Sequence, residues 1–169
     1  MLGVMLVVHG TKKFRDRAGG SADSPGEPLT ILGRWYATVL SWRPRQLALF
    51  VHDPTLLPVL MPLAPAATVV ARFPDRLAEI LELHDVPRAV IVREVAALTP
   101  GCVTSTASRS IVGVMNELTH LAGVWRSPTG ADDLDELSLR LAQVPCSPLY
   151  KRHISPDREL AALLTDARA

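Results

Sequence analysis

Cysteine and tyrosine occur only twice each in this chain and tryptophan and phenylalanine three times each. Neither sign of charge is in excess, since 18 basic and 17 acidic residues leave a formal net charge of +1. Each scarcity excludes something. Two distant cysteines, Cys102 and Cys146, cannot form the disulfide framework of a small secreted scaffold or the paired spacing of a structural zinc site, so free thiols are expected. A near-zero net charge leaves no global electrostatic footprint, so contact with nucleic acid or membrane would need a local basic patch. No apolar run approaches the roughly 20 residues of a membrane span. The opening run, residues 1–8, lacks a basic start and ends at His9, so it reads as a strand and not as a leader. A cytoplasmic protein without a membrane partner is the expectation.

Hydrophobic residues make up 48% and charged residues 21% of the 169 positions. That balance is globular, and a domain of this size buries roughly two-thirds of its unfolded surface. The chain therefore reads as a single domain over 1–169.

Residues 4–9 form a continuous β-rich apolar run, the pattern of a strand buried on both faces. A short basic piece, Gly10-Thr11-Lys12-Lys13, follows. The glycine-, serine- and proline-rich stretch at about 18–28 is expected to be the most mobile loop. Leu29, Leu32, Trp35, Tyr36, Val39 and Leu40 recur at three-four spacing and predict an amphipathic helix over 29–40, ended by Arg43-Pro44-Arg45. Residues 47–52 read as a strand, Asp53-Pro54 as a turn, and 56–63 as the second arm of a hairpin. Pro58 and Pro62 share strand parity and cannot donate to a ladder, which places that arm at a sheet edge. Helical stretches follow over 65–72 and 77–84, separated at Phe73-Pro74, and a third over 90–98 is stopped at Thr99-Pro100. Residues 102–106 predict a short strand. Residues 111–124 predict a helix capped by Ser108 or Ser110, and Asp132 or Asp133 caps the next, which carries Leu134, Leu137 and Leu141. Ser155-Pro156-Asp157 opens the last helix with proline at its first position. The result is an α+β domain, a small mixed or antiparallel sheet of about four strands packed with five to seven helices. The tight hairpin demands antiparallel pairing and disfavours a doubly wound nucleotide fold.

Three segments could carry chemistry. Lys12 and Lys13 follow a strand as phosphate-loop residues would, but Gly3 and Gly10 have the wrong spacing for that loop, leaving either two phosphate contacts or a solvated turn. Ser108-Arg109-Ser110 stands at a helix start, where unpaired N–H donors and an arginine fork suit an anion. Gly113, Asn116, Glu117 and His120 share the polar face of that helix, opposite the apolar stripe of Ile111, Met115, Leu118 and Ala122. Tyr150-Lys151-Arg152-His153 combines an aromatic ring, two cations and an imidazole, groups able to stack on a base, bind phosphate and move a proton. The candidate ligand-binding residues are thus Arg109, Ser110, Asn116, Tyr150, Lys151 and Arg152, and the candidate general acid/base residues are His153 and His120. The five histidines are scattered, with no metal-binding spacing, so no metal or cofactor is expected. Trp35, Tyr36 and Trp42 read as core anchors.

Gly33-x-Trp35-Tyr36, Leu56-Leu57-Pro58-Val59, Arg109-Ser110-x-x-Gly113-x-Met115-Asn116 and Pro148-Leu149-Tyr150-Lys151-Arg152-His153 together resemble an uncharacterised bacterial domain family of unknown function. The resemblance spans nearly the whole chain. In the family's pattern asparagine often stands where this chain has Ser108 and His52, and the resemblance implies no activity. The residues themselves support a domain that binds RNA, nucleotide or another phosphate-bearing ligand. The alternatives are a small hydrolase or nuclease using a histidine acid/base, and a non-enzymatic module that pairs with itself or with another protein.

Overall fold

The computed structural model describes residues 6–20, 26–28 and 30–167. Residues 4 and 5 of the predicted first strand, Leu29, and residues 21–25 of the predicted loop lie outside them. Five strands, β1 (Leu6–Gly10), β2 (Arg34–Leu40), β3 (Leu47–His52), β4 (Pro58–Pro62) and β5 (Gly101–Ser105), form one sheet in the order β4-β3-β2-β1-β5. β1 runs parallel to both β2 and β5, whereas β2, β3 and β4 form an antiparallel meander. The fold is α+β on a mixed sheet.

The extra strand corrects the helix expected over 29–40. Trp35, Tyr36, Ala37, Val39 and Leu40 are all buried. β2 lies between two strands with helices on both faces, so its apolar residues point both ways and the alternation that marks a half-buried strand is lost. The three-four spacing arose from that two-sided burial. Among the described residues six α-helices accompany the sheet: α1 (Lys12–Ala18), α2 (Val69–Leu83), α3 (Arg88–Ala96), α4 (Arg109–Trp125), α5 (Leu134–Leu141) and α6 (Pro156–Asp166). The basic piece after β1 is thus itself helical, capped by the Thr11 hydroxyl, which accepts from the Phe14 N–H. The two stretches expected around Phe73-Pro74 are one helix. Pro74 forfeits one backbone bond there, but Phe73, Leu77, Ile80 and Leu81 form one unbroken buried stripe that keeps the helix continuous.

Both faces of the sheet are covered. On one, Phe14 of α1, Phe73, Leu77 and Ile80 of α2 and Leu160 of α6 pack on Val8, Ala37, Phe50 and Val59. On the other, Ile111, Met115 and Leu118 of α4 and Leu137 and Leu141 of α5 pack on Tyr36, Leu49, Val51 and Leu60. The first core holds an aromatic column. Phe14 meets Phe50 edge-on, Phe50 stacks on Phe73 at 4.2 Å, Phe73 meets Trp35, and Trp35 meets His52.

β4 is the edge strand its prolines indicated. The His52 N–H bonds Leu57 O and the Leu63 N–H bonds Gln46 O, so Pro58, Leu60 and Pro62 turn their backbones outward. Pro58 and Pro62 have no donor there, and the single remaining one, Leu60 N–H, bonds Ser138 Oγ at 3.0 Å. Arg76 Nε donates to Leu60 O at 2.9 Å and an Arg72 guanidinium nitrogen donates to Pro62 O at 3.3 Å. This edge is closed to a further strand.

His52 is fully buried, and its partners fix its state. Its Nε2–H donates to Ile31 O at 3.0 Å, so its Nδ1 accepts from the Thr55 hydroxyl at 2.7 Å. Burial lowers its pKa from 6.5 to about 4, against the raising effect of the Ile31 carbonyl. Because the unfolded chain binds the proton first, the stability from this ring is fully present above pH 6.5 and is lost as the pH falls toward 4. A shift of this size corresponds to about 3 kcal/mol. Urea unfolding between pH 7.5 and 4.5 is expected to show that loss, with the His52 ring resonances titrating near 4; titration near 6.5 would contradict it.

Candidate functional site

β1 and β5 are adjacent and parallel, with Gly10 opposite Ser105, so their carboxyl ends open on the same side of the sheet. The chain leaves them in opposite directions. After β1, α1 turns onto the face where Phe14 is buried; after β5, α4 turns onto the other face, where Ile111, Val114 and Met115 are buried. In open sheets with parallel strands, such a divergence leaves a crevice outside the strand ends. Lys12 and Lys13 follow the end of β1, and Ser108, Arg109 and Ser110 follow the end of β5, so two sequence-separated candidate segments leave adjacent strand ends. Lys12 is paired with Asp16 at 2.9 Å. Neither Lys13 nor Arg109 has a carboxylate partner among the described residues. Ser108 is the cap, its Oγ accepting from the Ile111 N–H at 3.3 Å, and Arg15 Nε donates to Gly10 O at 3.1 Å. The N–H groups of Arg109 and Ser110, in the first helical turn, have no intrahelical acceptor.

One residue before the end of β1 lies His9, 6% exposed and stacked on Tyr36 with ring centres 4.8 Å apart. Its Nδ1 is 2.9 Å from Ser105 O and its Nε2 is 3.3 Å from an Arg34 guanidinium nitrogen. A carbonyl can only accept and a guanidinium can only donate, so the ring is neutral with its proton on Nδ1. Arg34 is in turn paired with Glu27. His9 thereby ties the end of β5 to β1 and β2.

Arg109, Gly113, Asn116 and His120 form one exposed row on α4, with open space above Gly113. Asn116 sits about 10 Å along the helix from Arg109. Tyr150, Lys151, Arg152 and His153 are exposed in the loop before α6. That loop is anchored by Glu159, whose side chain is 3% exposed. One carboxylate oxygen pairs with Arg152, and the other accepts from the His153 N–H at 3.2 Å and from its ring Nδ1 at 3.1 Å. No hydrogen bond or ion pair among the described residues joins this loop to Arg109, Ser110 or Asn116. None of the principal cavities is lined by either group. Leu149, just before the loop, shares a core cluster with Ile111 and Met115 of α4.

Both cysteines are free thiols. Burial, with Glu117 adding to it, pushes the Cys146 thiol up to about 11. Burial also raises that of Cys102. No group of three or more His, Cys, Asp or Glu side chains among the described residues is arranged to hold a metal ion. No helix among them is long and apolar enough to cross a membrane.

Sequence reading missed one feature. Trp42, expected as a core anchor, does pack against the second core but stays partly exposed and also lines a cavity of ≈ 340 Å³ with Arg43, Arg45 and Arg126. The signal was present, because Trp42-Arg43-Pro44-Arg45 is as basic and aromatic as residues 150–153, but it was assigned to the end of a helix that does not form.

A family model, a domain of unknown function (DUF6933), matches residues 7–159. The chain belongs to this family. No curated protein and no solved structure matches it. Its members' shared description gives no reaction, so function has to be read from the side chains above.

The Glu159 anchor is directly testable. In Glu159→Ala the loop loses three charge-assisted contacts, and stability is expected to fall by about 2 kcal/mol in denaturant unfolding. Faster hydrogen exchange at the His153 amide is expected with it, and unchanged exchange would show that the loop is held otherwise.

Proposed function

We propose that this domain binds a small phosphate-bearing ligand of the nucleotide class in the crevice between the carboxyl ends of β1 and β5. The observation that carries this reading is the divergence of α1 and α4 to opposite faces from two adjacent parallel strands, with Lys13 and Arg109 unpaired on the two lips. The partners required are those a phosphate uses. The free N–H groups of Arg109 and Ser110 form the end of α4 that carries partial positive charge, Arg109 supplies a planar fork, and Lys13 supplies a point charge. Ser110 adds a hydroxyl donor. The ring of His9 lies beneath, held in one tautomer, and gives the crevice a fixed floor.

Nucleoside mono-, di- and triphosphates at millimolar concentration are expected to raise the unfolding temperature. Arg109→Gln and Lys13→Gln should each weaken the tightest of them by roughly ten- to a hundredfold in calorimetric titration, the size of a lost charged hydrogen bond. Absence of stabilisation by every nucleotide at low salt would reject the reading.

One observation favours a hydrolytic second reading. Glu159 takes His153 by Nδ1 and leaves Nε2 free on a half-exposed ring, the orientation a general base needs. If that reading holds, hydrolysis of a phosphodiester substrate falls about a hundredfold or more in His153→Ala. Activity that survives the substitution leaves His153 with the anchoring role alone.

A further inference from the structure

The parallel strands β1, β2 and β5 all end on one side of the sheet, and each is followed within five residues by basic side chains: Lys12, Lys13 and Arg15 after β1, Arg43 and Arg45 after β2, and Arg109 after β5. α4 adds another at its far end. Beginning beside β5 and packing over β2 and β3, it delivers Arg126 to the β2–β3 loop, where the guanidinium lies 4.4 Å from the centre of the Trp42 ring and donates to Arg43 O at 2.8 Å. Arg43, Arg45, Arg126 and Trp42 enclose the cavity of ≈ 340 Å³. A second, of ≈ 400 Å³, adjoins it through Pro44, Arg45 and Pro62, and brings in Arg17 and Gln46.

The chemistry of this trough is one-sided. Four arginines line it, and Asp132 is the one acidic side chain among its lining residues. Asp132 is already engaged by the Ser127 N–H. None of the four arginines forms an ion pair with a carboxylate among the described residues. Three arginines outside the trough are ion-paired, Arg34 with Glu27, Arg76 with Glu79 and Asp135, and Arg152 with Glu159, so what sets the trough apart is the gathering of four unpaired ones in one groove. Four unneutralised guanidinium groups in one groove repel one another, and a ligand with several negative charges in series relieves that repulsion. A single phosphate occupies only part of two connected cavities. The partly buried Trp42 indole, which carries the Arg126 guanidinium over its ring, adds an aromatic edge beside the cations against which a base can lie.

We infer that this trough binds single-stranded nucleic acid, its phosphates following Arg17, Arg45 and Arg43 and a base lying against Trp42. The site is separate from the β1–β5 crevice, so either can fail without the other. A fluorescein-labelled 12-nucleotide single strand, as RNA and as DNA, is titrated into the whole protein and read by anisotropy across a salt series. A matching duplex and ATP serve as competitors.

Binding should weaken steeply with salt. In the double variant Arg43→Gln/Arg45→Gln, affinity should drop roughly tenfold or more, and the slope of log K against log salt should flatten by about 1.4, about 0.7 for each lost phosphate contact on a single strand. Both arginines are exposed, so the variant's circular dichroism and unfolding temperature should match the parent and confirm its fold. Arg109→Gln should leave strand affinity unchanged. The inference is overturned if no strand binds at low salt, if the duplex competes as well as the strand, or if the double variant binds normally. Strand binding that is lost in Arg109→Gln and kept in Arg43→Gln/Arg45→Gln also overturns it, by assigning the strand to the crevice.

Discussion

All three phenylalanines of the chain meet in one column, and the first core is organised about it. Phe14 comes from α1, Phe50 from β3 and Phe73 from α2, and Trp35 of β2 closes the column against Phe73. Aromatic pairs at these spacings contribute about 0.5–1.5 kcal/mol each beyond the area they bury. Their larger effect is positional. The column seats α1, a helix of seven residues with a single buried side chain, too short to persist in water alone. With α1 held to one face, α4 is left to cover the other, and the divergence between them exists because of that division.

The same division explains where the charge sits. Strand ends that point one way gather their following loops on one side, and this chain places arginine and lysine in those loops while its paired acids lie mainly elsewhere. A formal net charge of +1 conceals the asymmetry, because it sums over the molecule what the fold separates in space. The basic loop before α6 shows the reverse. Half of its nominal charge is already satisfied by one buried carboxylate, so a cluster that looks strongest in sequence is partly spent on holding itself in place.

Much of the architecture was legible because local chemistry decides it. The proline parity of Pro58 and Pro62, the cap at Ser108, the cap at Asp133 and the proline opening α6 each act within a few residues of themselves, and each stands where the sequence indicated. The polar row and apolar stripe of α4 were equally plain. β2 was not, since a strand buried on both sides carries no period-two signal, and the spacing of Leu32, Trp35, Tyr36 and Val39 happens to fit a helix. α1 was missed because one phenylalanine among five charged residues makes no stripe. Of the candidate site, the segments were found but not their meeting. The adjacency of β1 and β5 depends on a crossover through α2 and α3, and the approach of Arg126 to Trp42 spans most of the sheet. Neither is encoded in the spacing of neighbours.

The closed edge of β4 has a consequence for how the chain matures. Leu60 finds the hydroxyl that satisfies its outward N–H in Ser138, 78 residues further on, while Arg72 and Arg76 reach the same edge from α2. On a translating ribosome the β2–β3–β4 meander is complete long before α5 emerges. The two prolines are therefore the protection available from the moment the strand forms, and they guard it against nascent neighbours on the same messenger until the serine arrives.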